Sequence, residues 1–83
     1  MKRLFWKNDD NMYLVTGISS KEWIDFMVWL NNTQYSGCTG FSTWQSENEY
    51  ESIHTIDATD SRDAREEIEE YFSANIVGMV IVE

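Results

Sequence analysis

The apolar spacing between Ala64 and Phe72 constrains this chain more than any other feature. Ala64, Ile68, Tyr71 and Phe72 fall at i, i+4, i+7 and i+8, with mostly charged residues between them. This is the signature of a helix with one buried face, and such a stripe must pack against another layer. Thr59, Asp60 and Ser61 supply N-cap chemistry for a helix running to about Ser73. A second helix is predicted over residues 20–31, opened by Ser19 with Glu22 placed to complete a capping box. Trp23, Met27 and Leu30 share one stripe of it with Ile24 beside them, while Phe26 and Trp29 fall outside. That helix is apolar over more than half its circumference. It is either buried on two sides or offers aromatic surface to a partner.

The remaining segments read as strands and turns. Residues 2–7 and 12–16 are rich in β-formers and flank the turn cluster Asn8-Asp9-Asp10-Asn11, which predicts a hairpin. Residues 33–40 form a polar, glycine-containing loop, 41–44 alternate as a half-buried strand would, 46–52 are a charged turn, and 53–58 are a further strand. Residues 76–82 are the most apolar run, predicted to be a central or well-covered strand. The order is β-β-α-β-β-α-β. Without its first strand this is the ferredoxin-like split βαβ arrangement. The expectation is an α+β two-layer sandwich, ferredoxin-like βαββαβ with an extra N-terminal strand and both helices on one face, as a single domain over residues 1–83.

Size and composition narrow the function. A chain of 83 residues hides about 60–65 % of its unfolded surface, which leaves little room for a large internal active site. Hydrophobic residues at 42 % and aromatics at 14 % argue against disorder. One cysteine permits no intrachain disulfide, which excludes a secreted disulfide scaffold. The N-terminus lacks a signal-peptide pattern, and no apolar run approaches ~18 residues, so a cytoplasmic location is expected.

The net charge of -9 lies wholly in one half of the chain. Residues 1–46 balance Lys2, Arg3, Lys7 and Lys21 against Asp9, Asp10, Glu22 and Asp25, whereas residues 47–83 carry eleven acids against Arg62 and Arg65. Direct binding to nucleic acid or to an anionic membrane is disfavoured, because both require cationic surface.

Catalytic and metal chemistry find little support. Cys38 and His54 are the sole Cys and His, too few for a Cys/His metal site. Asp57 to Asp63 lacks the alternating acids and the glycine of a calcium loop. Ser36-Gly37-Cys38-Thr39-Gly40 lacks the lysine and the spacing of a phosphate loop. A Cys38–His54 nucleophile pair is outweighed by the plainer reading of a small residue in a turn. No enzyme, cofactor or metal is therefore expected.

The acidic helix is the most specific feature. Asp60, Asp63, Glu66, Glu67, Glu69 and Glu70 lie along ~15 Å of helix axis, and after Arg62 and Arg65 are set against them about one net negative charge remains per ~4 Å. Duplex DNA carries one per ~1.7 Å. The like-charge pairs Asp63–Glu67 and Glu66–Glu70 each cost about 0.2–0.5 kcal/mol, and anions in the later turns oppose the helix dipole. A face tuned only for stability would mix in more lysine. Glu47, Glu49 and Glu51, interleaved with Tyr50, extend the field. The plainer alternative is a solvated acidic face kept for solubility. A second candidate surface is aromatic, comprising Phe26, Trp29, Tyr35 and Trp44; core packing accounts for most of it, with one or two residues left as interface anchors.

The run from Ile56 through Asp57-Ala58-Thr59-Asp60-Ser61-Arg62-Asp63-Ala64, the acidic helix and Ile76-Val77-Gly78-Met79-Val80-Ile81 resembles a strand–cap–helix–strand unit seen in several small phage-encoded proteins. These include some anti-CRISPR and other host-takeover proteins. The pattern covers about a third of the chain and is supersecondary rather than a signature; residues 1–52 match no family. The resemblance implies a stoichiometric inhibitor acting in the host cytoplasm, blocking a nucleic-acid-binding surface of a defence complex or polymerase.

The expected function is thus an acidic protein-binding inhibitor or adaptor that docks its anionic second helix onto a cationic surface as a partial DNA mimic. The expected contact residues are Asp60, Asp63, Glu66, Glu67, Glu69, Glu70, Glu47, Glu49, Tyr50 and Trp29, and the partner is a nucleic-acid-handling protein complex. The rivals are a structural or oligomerisation module, which includes a homodimer, and a small-ligand domain or thiol enzyme centred on Cys38.

Overall fold

The structure is a computed structural model that describes residues 1–33, 41–45, 52–57 and 62–82, with backbone alone for 41–45, 52 and 62. The elements are β1 (Arg3–Lys7), β2 (Met12–Thr16), α1 (Ser20–Asn31), β3 (Phe41–Gln45), β4 (Ser52–Asp57), α2 (Arg62–Asn75) and β5 (Val80–Val82). The order ββαββαβ therefore stands, as does the two-layer α+β architecture. The Thr59–Ser61 capping segment and the loop around Cys38 lie outside the described residues.

The five strands run β3-β4-β2-β1-β5 across one sheet. β1 and β2 form the antiparallel hairpin, Trp6 facing Tyr13 and Leu4 facing Val15 in register. β4 is antiparallel to both β2 and β3, so β2–α1–β3 is a split βαβ unit with β4 between its strands. The second unit differs. β5 pairs with β1 in parallel, so β2 and β1 both separate β4 from β5, where the ferredoxin-like order has a single strand. The N-terminal strand is inserted within the sheet rather than added at its margin.

Alternation along the strands decides where the core lies. Leu4, Trp6, Tyr13, Val15, His54 and Ile56 point to one face and are buried, and both helices pack there. α1 contributes Trp23, Phe26 and Leu30, while α2 contributes Ala64, Ile68 and Phe72. Phe26, expected outside the α1 stripe, is fully buried at its centre, whereas Ile24 is 59 % exposed. The stripe is rotated because Phe26 meets Phe72 at 4.6 Å between ring centroids, a contact across helices that spacing within α1 cannot reveal. The α1 capping box forms as expected: Glu22 N–H donates to Ser19 Oγ at 3.1 Å, and Ser19 N–H donates to Glu22 Oε1 at 2.9 Å.

The apolar run 76–82 is not one central strand. α2 continues to Asn75, and Ile76 N–H donates to Phe72 C=O at 3.2 Å, seating Ile76 in the core. Met79 N–H then closes a turn on Ile76 C=O at 3.4 Å, with Gly78 at φ 83. Glycine enters that region without the cost a side chain imposes. Val77 is left 92 % exposed, and the strand is only Val80–Val82 at the edge of the sheet. Glycine-permitted turning breaks the run that hydrophobicity alone reads as continuous.

Candidate functional site

The described charged side chains of α2, residues 63–70, divide between two faces. Asp63, Glu66, Glu67 and Glu70 are exposed, while Glu69 and Arg65 turn towards the sheet and are half-buried. At 100° per residue the four exposed acids fall within roughly one third of the helix circumference, spread over about 10 Å of axis. Asp63, Glu67 and Glu70 form no ion pair among the described residues. The three lysines are committed elsewhere: Lys2 to Glu22 at 3.0 Å, Lys7 to Asp10 at 2.9 Å and Lys21 to Asp25 at 2.8 Å.

Arg65 explains why this face is so anionic. Its guanidinium lies 3.9 Å from the centroid of the Trp6 ring, on the sheet side of the helix. Its positive charge is thereby held away from the outer acids by a cation–π contact. Glu69 is drawn to the same side, where its Oε1 accepts a hydrogen bond from the Tyr13 hydroxyl at 3.0 Å. Burial pushes the Tyr13 hydroxyl well above its ordinary range, reinforced by the negative charge of Glu69, so it remains a donor at any physiological pH. Glu69 thus serves in the packing of α2 on β2 and is not part of the outer face.

Trp29 stands beside the acidic face. Its ring lies 4.7 Å from Tyr71 and 5.8 Å from Phe26, between ring centroids, so an aromatic tier climbs from the core to the α1–α2 surface. A groove of about 170 Å³ opens there, lined by Trp29, Glu67, Glu70, Tyr71, Ala74 and Asn75. Burial and, secondarily, the nearby Asp25 charge raise the Tyr71 hydroxyl above its usual range. Trp29, Glu67 and Glu70 were all legible as candidates; Tyr71 was not, because its helical spacing reads as core and its position beside Trp29 is a tertiary contact. Asp60, Glu47, Glu49 and Tyr50 lie outside the described residues, as do Tyr35 and the side chain of Trp44.

The sheet face opposite the helices carries Arg3, Phe5, Leu14, Thr16 and Val80. A groove of about 280 Å³ lies among Arg3, Phe5, Leu14 and Thr16, with Phe5 37 % and Val80 43 % exposed. Sequence reasoning named no residue here; the alternation Arg3-Leu4-Phe5-Trp6 held the signal, since it places an apolar side chain on both faces of one strand.

His54 is described but Cys38 is not, so the Cys38–His54 pair lies outside the described residues. His54 is 6 % exposed and stacks on Trp23 at 4.3 Å between ring centroids, and burial holds its pKa below the ordinary histidine value. Among the described residues no group of three or more His, Cys, Asp or Glu is placed to hold a metal, and no helix is long and apolar enough to cross a membrane. The chain matches no protein-family model, no curated protein and no solved structure, so its resemblance to phage inhibitors rests on the supersecondary pattern of residues 56–81 alone.

Proposed function

We propose that this protein is a small acidic inhibitor or adaptor that docks the outer face of α2 onto a cationic, nucleic-acid-binding surface of another protein, as a partial DNA mimic. The observation that carries this reading is the sorting of charge on α2: Asp63, Glu66, Glu67 and Glu70 face outward while Arg65 is held inward over Trp6. Closely spaced carboxylates on a rigid rod imitate a phosphate row, and they steer association with basic surfaces in a salt-dependent way. Local energetics favour dispersing such charges, so their concentration on one face supports a role beyond solubility. The test is capture of partners from a bacterial lysate with tagged protein at low and moderate salt. Recovery of one nucleic-acid-handling complex, weakened by salt and lost in Glu67→Lys/Glu70→Lys, is expected; equal recovery with that variant would sink the electrostatic docking idea.

A second reading is self-association through the sheet face bearing Phe5 and Val80, favoured by the apolar groove among Arg3, Phe5, Leu14 and Thr16. Light scattering over a dilution series separates the two. This second reading expects a dimer that Phe5→Glu dissociates, and a strict monomer removes it.

A further inference from the structure

The groove between α1 and α2 is too small for a helix or a base pair, and its volume of about 170 Å³ suits the end of one side chain. The two aromatic rings of Trp29 and Tyr71, tilted 30° to each other, supply the flat part, and the carboxylates of Glu67 and Glu70 supply the charge. No described cation lines it. Trp29 is also fixed from beneath by Phe26, which itself contacts Tyr71 at 5.4 Å and Phe72 at 4.6 Å between ring centroids. The aromatic surface is therefore preorganised and needs little ordering on binding.

These features select among possible occupants. An anion is repelled by both carboxylates. A neutral apolar group would strip water from them without return. An ammonium is satisfied by the charge but is compact and strongly hydrated, and gains little from a flat ring. A guanidinium is planar and weakly hydrated, stacks on aromatic faces and presents a fork of donors to carboxylates. The chain already uses this stacking once, where Arg65 covers Trp6 at 3.9 Å.

We propose that the α1–α2 groove receives one arginine side chain of the partner, its guanidinium against Trp29 and Tyr71 and its donors directed to Glu67 and Glu70. This rests on the docking of α2 proposed above and deepens it: the outer acids supply steering, and the groove supplies discrimination of arginine from lysine. The test is titration of isotope-labelled protein with hexa-arginine and, separately, hexa-lysine, followed residue by residue by NMR at low salt. Hexa-arginine is expected to bind about tenfold more tightly, shifting the Trp29 indole N–H and residues 70–75 most. Trp29→Leu, which keeps apolar packing on Phe26, should bring the two peptides within about twofold, as should the surface variant Glu67→Gln/Glu70→Gln if Trp29→Leu does not fold. Equal binding of both peptides with shifts confined to Asp63 and Glu66 would overturn the groove while leaving the α2 reading in place. Absence of binding by either peptide would overturn both.

Discussion

Gly17 illustrates how a single residue holds distant parts of this chain together. It sits at φ 78 immediately after β2, and a Cβ added there would collide with the Met1 carbonyl. The neighbouring Lys2 C=O accepts from Val80 N–H at 2.9 Å, so crowding at Gly17 reaches the start of the β1–β5 pairing. Gly17→Ala combines a left-handed backbone with a steric clash, and a loss of about 2 kcal/mol is expected in chemical denaturation. A loss below about 0.5 kcal/mol would show that the close approach is easily relieved. His54 makes a different residue-scale prediction. Burial lowers its folded pKa, so below about pH 6.5 the unfolded chain takes up a proton that the folded chain resists. Its contribution to stability is intact above that pH and falls as pH drops towards the depressed folded value. Thermal melts at about pH 7.5 and 5.5 should show a larger acid loss for wild type than for His54→Phe, which keeps a ring against Trp23; parallel profiles would remove His54 as the cause.

At the scale of elements, α2 is both the clearest legible helix and the least economical one. Its buried stripe follows directly from Ala64, Ile68 and Phe72 at i, i+4 and i+8, all fully buried. Its outer acids repel one another at Asp63–Glu67 and Glu66–Glu70. Glu67→Lys replaces repulsion by attraction to Asp63 in the favourable acid-first order. It is expected to raise stability by about 0.5 kcal/mol by chemical denaturation while weakening partner binding. A variant that instead destabilises the protein would argue that Glu67 is there for the fold. Elements whose signal is local were therefore legible: the Ser19–Glu22 capping box, the α2 stripe and the β1–β2 hairpin around Asn8–Asn11. The rest was not, for identifiable reasons. Phe26 is drawn inward by Phe72 on another helix, and the run 76–82 is broken by the turn at Gly78, which leaves a short edge strand where a central or well-covered one was expected.

At the scale of the whole molecule, the sheet order was beyond sequence reach because pairing partners far apart in the chain decide it. Both placements of β1, at the margin or between β2 and β5, satisfy the same alternation; the parallel register Arg3–Val80 to Phe5–Val82 is what distinguishes them. The candidate site shows the same division. The acids of α2 were legible as a periodic surface, but the meeting of Trp29 with Tyr71 and the inward turn of Arg65 and Glu69 depend on helix packing and on the sheet beneath. Together these hold Arg65 and the lysines, among the described residues, away from the outer carboxylates of α2. A flank that imitates nucleic acid must compete with nucleic acid for the partner. Labelled duplex DNA bound to the captured nucleic-acid-binding partner is titrated with this protein and with Glu67→Lys/Glu70→Lys. Stoichiometric displacement of DNA by the wild-type protein and none by the variant is expected; retention of the DNA, or equal displacement by both proteins, would rule out nucleic-acid mimicry by α2.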